Sequence, residues 1–282
     1  MVIYNLALLG DPVEHSLSPE IHSRFFKTTA LKGGYLCLET KPADLEKTIK
    51  ALQQLFFTGV NLTIPHKQAG LKIANSCSKE AELIGSANTL CFNKDFLIHA
   101  ENTDWKGFYE SLPTSVKENT KKASIVGVGG SARAVTVAIL KLKNILEISL
   151  LIRDSESSRN NAYEIRELVK KINSKVEVKI EDINAKTSSS KDLDLLINTT
   201  PIGMHGMEEG RSPVKELFIE SIKNKNCYFY DLIYNPTETE FMRVARERDF
   251  KAQNGYRMLE LQAAYSFSLW TGTKPSILLV EF

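Results

Sequence analysis

A glycine cluster set between an apolar run and a helical stretch constrains this chain more than any other feature. Residues 123–126 (Ala-Ser-Ile-Val) read as a buried parallel strand, and residues 132–142 as the helix that follows. Between them, Gly127, Gly129 and Ala132 match the Gly-x-Gly-x-x-Gly/Ala spacing of a dinucleotide-binding strand–turn–helix. The first glycine permits the tight turn. The second lets the backbone approach a pyrophosphate, and the small third residue lets helix and strand pack closely. The first amides of the helix then face the phosphates with the positive end of the helix dipole behind them. An ordinary tight turn can share this spacing, but its place between a strand and a helix supports a nucleotide site.

After that turn, strands and helices alternate. Residues 148–152, 176–180, 193–198 and 228–232 read as strands, and residues 163–172 and 239–248 as helices. Such alternation predicts a doubly wound parallel sheet. Ser188-Ser-Ser-Lys191 reads as a surface loop. At 282 residues the chain is long enough for two domains. A net charge of +2 implies no nucleic-acid or acidic-membrane partner. No apolar stretch approaches the ~18 residues of a membrane span. Met1-Val-Ile-Tyr-Asn5 has none of the pattern of a signal peptide. Cys37, Cys77, Cys91 and Cys227 are scattered, and with five dispersed histidines they offer no metal-ligand spacing. The expectation is a cytoplasmic α/β protein with reduced thiols and no metal.

In the first hundred residues, residues 3–9 form an apolar run ending at Gly10-Asp-Pro12. In His15-Ser-Leu-Ser-Pro19, Ser18 is placed to cap a helix starting near Pro19, and the hydroxyls of Ser16 and Ser18 suit a carboxylate. Residues 35–39 read as a second strand, and residues 45–55 as an amphipathic helix. Gly59-Val-Asn-Leu-Thr-Ile-Pro-His-Lys67 is a short strand stopped at Pro65. It delivers Asn61, Thr63, His66 and Lys67 at its carboxyl end, where open α/β sheets bind ligands. Ile84-Gly-Ser-Ala-Asn-Thr-Leu90 precedes a hairpin of residues 89–92 with 96–100. Glu101-Asn-Thr-Asp-Trp-Lys-Gly107 follows, in which Asp104 can cap a helix starting at Trp105.

Taken together, H-S-L-S-P, N-L-T-I-P-H-K, G-S-A-N-T-L, N-T-D-W-K-G and G-V-G-G-S-A-R-A resemble, in order, the signature of the shikimate dehydrogenase family. The resemblance implies an α/β substrate domain, residues 1–104, completed by C-terminal helices in residues 257–282. A Rossmann-type NAD(P)-binding domain would cover residues 105–256, with the two connections serving as a hinge. The implied activity is NADPH-dependent, reversible reduction of 3-dehydroshikimate to shikimate, an oxidoreductase step of chorismate and aromatic amino-acid biosynthesis. Lys67 and Asp104 would be the catalytic pair. Ser16, Ser18, Asn61, Thr63, Asn88, Asp104, Tyr234 and Gln262 would bind the substrate. Gly127, Gly129, Gly130, Ser131, Ala132, Arg153, Thr199, Met204, Ile233 and Gly255 would bind the nucleotide. The protein would act as a monomer or homodimer on a small molecule.

Cofactor choice is decided after the second strand of the nucleotide domain. An acid about 20 residues beyond the first glycine favours NAD, whereas arginine there favours the 2′-phosphate of NADP. The strand ends Ile152-Arg-Asp-Ser-Glu156, where family members using NADP commonly show Asn-Arg-Thr. Arg153 matches and Asp154 departs; Arg159 adds a second positive charge. NADP is favoured, with NAD as the alternative. Ala100 stands where a glycine is common, and Arg257 where a small or acidic residue is usual, so a quinate or amino-shikimate dehydrogenase is the neighbouring reading. A methylenetetrahydrofolate dehydrogenase-like enzyme would have no use for the paired serines. A nucleotide sensor without catalysis would have none for Lys67 with Asp104.

Overall fold

The computed structural model describes residues 2–184 and 191–277, so residues 188–190 of the serine-rich stretch lie outside the described residues. Phe108–Met258 form one compact unit, and the residues before and after them form another. The divisions fall inside helices, after Gly107 and after Met258, rather than at residues 104 and 257.

The first unit contains β1 (Ile3–Gly10), α1 (Ser18–Thr29), β2 (Lys32–Glu39), α2 (Leu45–Gln54) and β3 (Gly59–Leu62). It continues with α3 (Lys67–Ile73), β4 (Ser76–Cys77), α4 (Lys79–Ile84), β5 (Thr89–Phe92), β6 (Ile98–Glu101) and the start of α5 (Asp104–Ser111). The sheet runs β2-β1-β3-β5-β6-β4. It is parallel through β2, β1 and β3, and antiparallel from β3 through β5 to β6.

Strand alternation sorts its two faces. On β1, Leu6 and Leu8 pack with Phe25 and Phe26 of α1 and with Phe267 and Trp270 of the C-terminal helix, Tyr256–Thr271. Ala7 and Leu9 pack on the other face with Leu45, Ile49 and Leu52 of α2. On β3, Val60 and Leu62 join the α2 face, which turns Asn61 toward Ser266 of the C-terminal helix. That helix comes closest at Gly59. A Cβ there would lie 2.2 Å from Trp270 Nε1, which donates to the Leu90 carbonyl at 3.0 Å.

The hairpin's second strand starts at Ile98 rather than at Phe96. Asn93 Oδ1 accepts the Asp95 and Leu97 amides at 2.9 and 2.8 Å, and Phe96 takes φ 58°, so the turn uses up those residues. Pairing of β2 with β1 begins at Lys32, three glycine- and lysine-bearing pairs before the apolar signal at Tyr35.

The second unit contains α6 (Thr114–Asn119), β7 (Lys122–Val126), α7 (Gly130–Ile139), β8 (Glu147–Ile152), α8 (Glu156–Ile172) and β9 (Glu177–Asp182). After these come β10 (Leu195–Asn198), α9 (Glu216–Ser221), β11 (Tyr228–Asp231), α10 (Glu240–Arg246) and β12 (Lys251–Gln253). The described strands of this sheet pair in parallel, in the order β12-β11-β10-β7-β8-β9. Numbered from β7, this is the doubly wound order 3-2-1-4-5-6, whose direction reverses between β7 and β10. Ser155 caps α8 by accepting the Ser158 amide at 3.2 Å, so the helix starts at Glu156, one polar turn and more before residue 163. The three-residue β12, Lys-Ala-Gln, is too short for its alternation to be read and is absent from the sequence prediction. Among the described residues no helix is long and apolar enough to cross a membrane.

At the end of β11, Asp231 is wholly buried and accepts from Asn198 Nδ2 at 3.0 Å, the Ile233 amide at 3.0 Å and Thr239 Oγ1 at 2.6 Å. Burial pushes its pKa from 3.8 up to about 6, with those three hydrogen bonds acting in the other direction. A raised folded-state pKa means that the unfolded chain ionises first as pH rises. Stability from this residue therefore falls between about pH 4 and about pH 6 and is level above. In urea unfolding, the wild type should lose about 3 kcal/mol more across that window than Asp231→Asn, at roughly 1.4 kcal/mol per pKa unit. Parallel pH curves for the two proteins would contradict this.

Candidate active site

Lys67 is the first residue of α3. His66, just before it, is buried with Nε2 2.6 Å from the Thr40 carbonyl, which ties the loop after β3 to the end of β2. The Lys67 carbonyl accepts the Ala87 amide at 2.9 Å, joining the same residue to the segment before β5. Its Nζ donates to Asp104 Oδ2 at 2.7 Å, and 27% of the lysine side chain and 12% of the aspartate side chain remain exposed. The other oxygen, Asp104 Oδ1, accepts from Asn88 Nδ2 at 2.8 Å. Both carboxylate oxygens thus face side chains, while Asn102 Oδ1 takes the Asp104 amide at the start of α5. Asp104 is therefore turned to Lys67 and Asn88 instead of serving as a plain helix cap.

Asn88 is the junction. Its Nδ2 also reaches Thr103 Oγ1 at 2.9 Å and Gln262 Oε1 at 3.1 Å, and its Oδ1 accepts the Thr103 amide at 2.7 Å. Its backbone carbonyl accepts Asn61 Nδ2 at 2.9 Å. Asn61 Nδ2 also reaches Thr89 Oγ1 and Ser266 Oγ, each at 3.1 Å, and its Oδ1 accepts from Tyr35 at 2.8 Å. The Asn61 carboxamide, 5% exposed as a residue, is spent inside the protein. Lys67, Asp104, Asn88, Gln262 and Asn61 are thereby brought into one network.

Ser18 is the first residue of α1 rather than its cap. Leu17 holds the cap position in helical backbone, and Ser16 Oγ accepts the Ser18 amide at 3.2 Å. Thr63 is half-buried, its methyl against Gly10, and its amide donates to the Leu9 carbonyl at 3.0 Å.

In the second unit, Gly127 takes φ +93°, and a Cβ there would meet Thr200 Cγ2 at 2.7 Å and Thr199 Oγ1 at 3.1 Å. A Cβ at Gly129 or Gly130 would meet nothing within 4 Å, so the backbone entering α7 is open to a ligand. Ala132 is fully buried against the sheet, and Ser131 lies half-buried in the same first turn. This cradle fits a nucleotide pyrophosphate. Among the described residues, no group of three or more His, Cys, Asp or Glu is arranged to hold a metal ion.

Comparison with known proteins gives the family. Residues 8–90 match the family model described as the shikimate dehydrogenase substrate binding domain. A relative from Caldanaerobacter subterraneus named shikimate dehydrogenase (NADP(+)) is 38% identical, with 94% of this chain and 90% of that protein covered. The chain belongs to the shikimate dehydrogenase family. The crystal structure of the Thermus thermophilus shikimate 5-dehydrogenase in complex with NADP(H) and shikimate is 31% identical with TM-score 0.81, covering 97% of this chain and 95% of that one. The Listeria monocytogenes shikimate 5-dehydrogenase in complex with shikimate and NAD is 27% identical with TM-score 0.84, covering 97% and 93%.

Set within this family, the remaining residues fall as follows. Arg153 and Asp154 are both exposed just after β8, and Arg159 of α8 donates to Asp154. Thr199 Oγ1 donates to the Val126 carbonyl at 2.7 Å at the end of β10. Met204 is half-buried and Ile233 is buried. Gly255 donates its amide to the Ile233 carbonyl at 2.9 Å, and a Cβ there would lie 2.0 Å from the Leu232 carbonyl oxygen. Burial raises the pKa of the half-buried Tyr234 phenol. Arg257 lies within electrostatic range of the buried Tyr230.

Four residues of the network escaped the sequence reading: Tyr35, Thr89, Thr103 and Ser266. Thr89 and Thr103 sit inside quoted motifs beside Asn88 and Asp104. Ser266 lies one helical turn after Gln262, and two polar residues at that spacing in an apolar stripe are the signal that could have found it. Ser266 Oγ lies 2.7 Å from Thr89 Oγ1 and 3.1 Å from Thr103 Oγ1, and donates to the Gln262 carbonyl at 3.0 Å. Ser266→Ala should lower stability by about 1 kcal/mol in urea unfolding, because it removes hydrogen bonds to Asn61, Thr89 and Thr103 together, although each of these keeps other partners. Ser268→Ala, which removes a hydroxyl bonded to the Ala264 carbonyl at 2.8 Å, should cost much less. Equal losses would contradict the junction role.

Proposed function

We propose that this protein catalyses the reversible NADP(H)-dependent interconversion of 3-dehydroshikimate and shikimate, a cytoplasmic step toward chorismate and the aromatic amino acids. The observation that carries the reading is the 2.7 Å pair of Lys67 Nζ with Asp104 Oδ2, bracketed by Asn88. The names of the relatives at 38% and 31% identity support it. A nicotinamide nucleotide held at the Gly127–Ala132 turn would supply the hydride chemistry.

Lys67 handles the proton. Its ammonium donates to the carbonyl oxygen as that oxygen becomes a hydroxyl, and the amine takes the proton back in the oxidation. Asp104 orients the ammonium and accepts from a neighbouring ring hydroxyl. Asn88 and Gln262 recognise ring hydroxyls, Ser16 and Ser18 hold the carboxylate, and Thr63 lines the same pocket. Asn61 supports Asn88 from behind. Tyr234 is assigned to the substrate. Gly127, Gly129, Gly130, Ser131 and Ala132 take the phosphates, and Thr199, Met204, Ile233 and Gly255 the nicotinamide side.

Arg153 is assigned to the 2′-phosphate. Asp154 would repel that group, but its charge is answered by Arg159. The same acid can accept from the 2′-hydroxyl of NAD, so NAD use is the second reading, in line with the NAD complex of the Listeria relative.

Lys67→Ala should reduce kcat by about 10²–10⁴-fold with a smaller change in KM, measured by steady-state kinetics. A change confined to KM would make Lys67 a binder instead. Asp154→Asn should lower KM for NADP+ by about three- to ten-fold and leave or raise that for NAD+, since removing one like charge near a phosphate is worth about 1 kcal/mol at an exposed site. Equal shifts for both nucleotides would remove Asp154 from cofactor choice.

A further inference from the structure

Tyr35 and His22 belong to none of the roles assigned above, yet both abut the substrate-site network. His22, on α1, is fully buried, and neither ring nitrogen makes a hydrogen bond of good geometry, although the Asn61 side chain lies close enough to act on the ring. Its ring stacks on Tyr35 with centroids 4.0 Å apart and planes 6° from parallel. Phe25, Trp270 and Phe267 close the remaining sides at 5.6, 5.8 and 6.1 Å. Packing in such a box does not call for a histidine, because two buried polar atoms without good hydrogen bonds carry a desolvation cost. Burial pushes the imidazole down to about 3, with the Asn61 side chain acting the other way, so the ring is neutral and stacks on Tyr35 without bringing a charge into the box.

Tyr35 is correspondingly fixed. Burial raises its phenol well above the ordinary value, with the neighbouring Cys37 adding to this and Ser18 opposing it, so the hydroxyl keeps its proton. That proton goes to Asn61 Oδ1 at 2.8 Å. From Asn61 the connections continue through Nδ2 to the Asn88 carbonyl at 2.9 Å, and from Asn88 Nδ2 to Asp104 Oδ1 at 2.8 Å. Asp104 Oδ2 in turn receives Lys67. The hydroxyl also lies beside Ser18, at the expected carboxylate end of the site.

We propose that Tyr35 is a positioning residue for substrate binding: clamped by the His22 stack, its hydroxyl holds the Asn61 carboxamide in the orientation that supports Asn88 and, through it, Asp104. Without the hydroxyl, Asn61 Oδ1 loses its 2.8 Å hydrogen bond, and the carboxamide turns from Asn88 toward the donors that remain, the His22 ring among them. Tyr35 therefore acts through Asn61, and its contribution should disappear when Asn61 is gone. The proposal rests on the shikimate reading of the site.

The test is a double-mutant cycle on the full chain, read as KM in turnover and as Kd for shikimate by calorimetry, with NADP+ binding as the control for folding. Tyr35→Phe should raise KM and Kd for shikimate by about ten-fold and leave the Kd for NADP+ unchanged. In an Asn61→Ala background the same substitution should change the shikimate constants less than about two-fold. Should Asn61→Ala prove insoluble, Asn61→Ser takes its place with the same expectation. An unchanged shikimate Kd in Tyr35→Phe overturns the proposal, as does an equal effect in both backgrounds, which is what a merely structural role would give. Wild-type protein that binds shikimate but turns none over sinks the assigned activity, and the Kd cycle then still decides Tyr35. Wild-type protein that does not bind shikimate overturns both.

Discussion

The half-buried ion pair of Lys67 with Asp104 is the constraint on which the first unit depends. Two charges 2.7 Å apart and largely withdrawn from water are tolerated only where their remaining hydrogen-bonding capacity is met. Asn88 meets the second carboxylate oxygen, and Thr103 and Gln262 hold Asn88. Asn61 supports Asn88 from the next strand, and Ser266 ties the C-terminal helix into the same cluster. Each step outward replaces a charge by a neutral amide or hydroxyl, until the network ends against the aromatic box around His22. A polar site built this way is rigid because leaving any one member unpaired is expensive.

Backbone geometry decides which residues join. Alternation on β3 puts Val60 and Leu62 on the α2 face and Asn61 on the opposite one. Register then places Asn61 opposite Thr89, and Thr89 opposite Glu101, just before the Asn102–Asp104 turn. Gly59 allows Trp270 to approach, which brings Gln262 and Ser266 of the same helix into range. In the second unit the equivalent economy lies at the β7–α7 turn. Gly127 supplies a left-handed backbone, and Gly129 and Gly130 leave it uncovered. Neither arrangement requires long-range charge; both follow from strand period and from small residues where backbone must come close.

Much of this was legible in the sequence because the signals are local. The glycine turn, the strand–helix alternation and the polar end of the strand before Lys67 are each read within about ten residues, whereas the segments bearing Asn88 and Asp104 read singly as turns and take site roles only from the ordered family resemblance. Tyr35 and Ser266 did not, because each looks like one more residue of an apolar element and its polar partner lies far away in the chain. Ser18 has the sequence pattern of a helix cap because it precedes Pro19, but Ser16 accepts its amide and Leu17 takes the cap position. The short β12 gives no sequence signal because an edge strand of only Lys251, Ala252 and Gln253 is too short for a hydrophobic period to be read. In the sequence Asp154 stands as an obstacle to NADP, whereas its pairing with Arg159 depends on a helix that begins about two turns before the apolar pattern at residue 163.

The central claim is that the polar cluster around Lys67 works on shikimate with a nicotinamide nucleotide bound at the glycine turn. The most direct test is the initial rate of nicotinamide reduction, followed by absorbance, with shikimate and quinate each paired with NADP+ and with NAD+. The account predicts rapid turnover of shikimate with NADP+, slower turnover of shikimate with NAD+ and little with quinate. No turnover of shikimate with either nucleotide, or turnover confined to quinate, would contradict it.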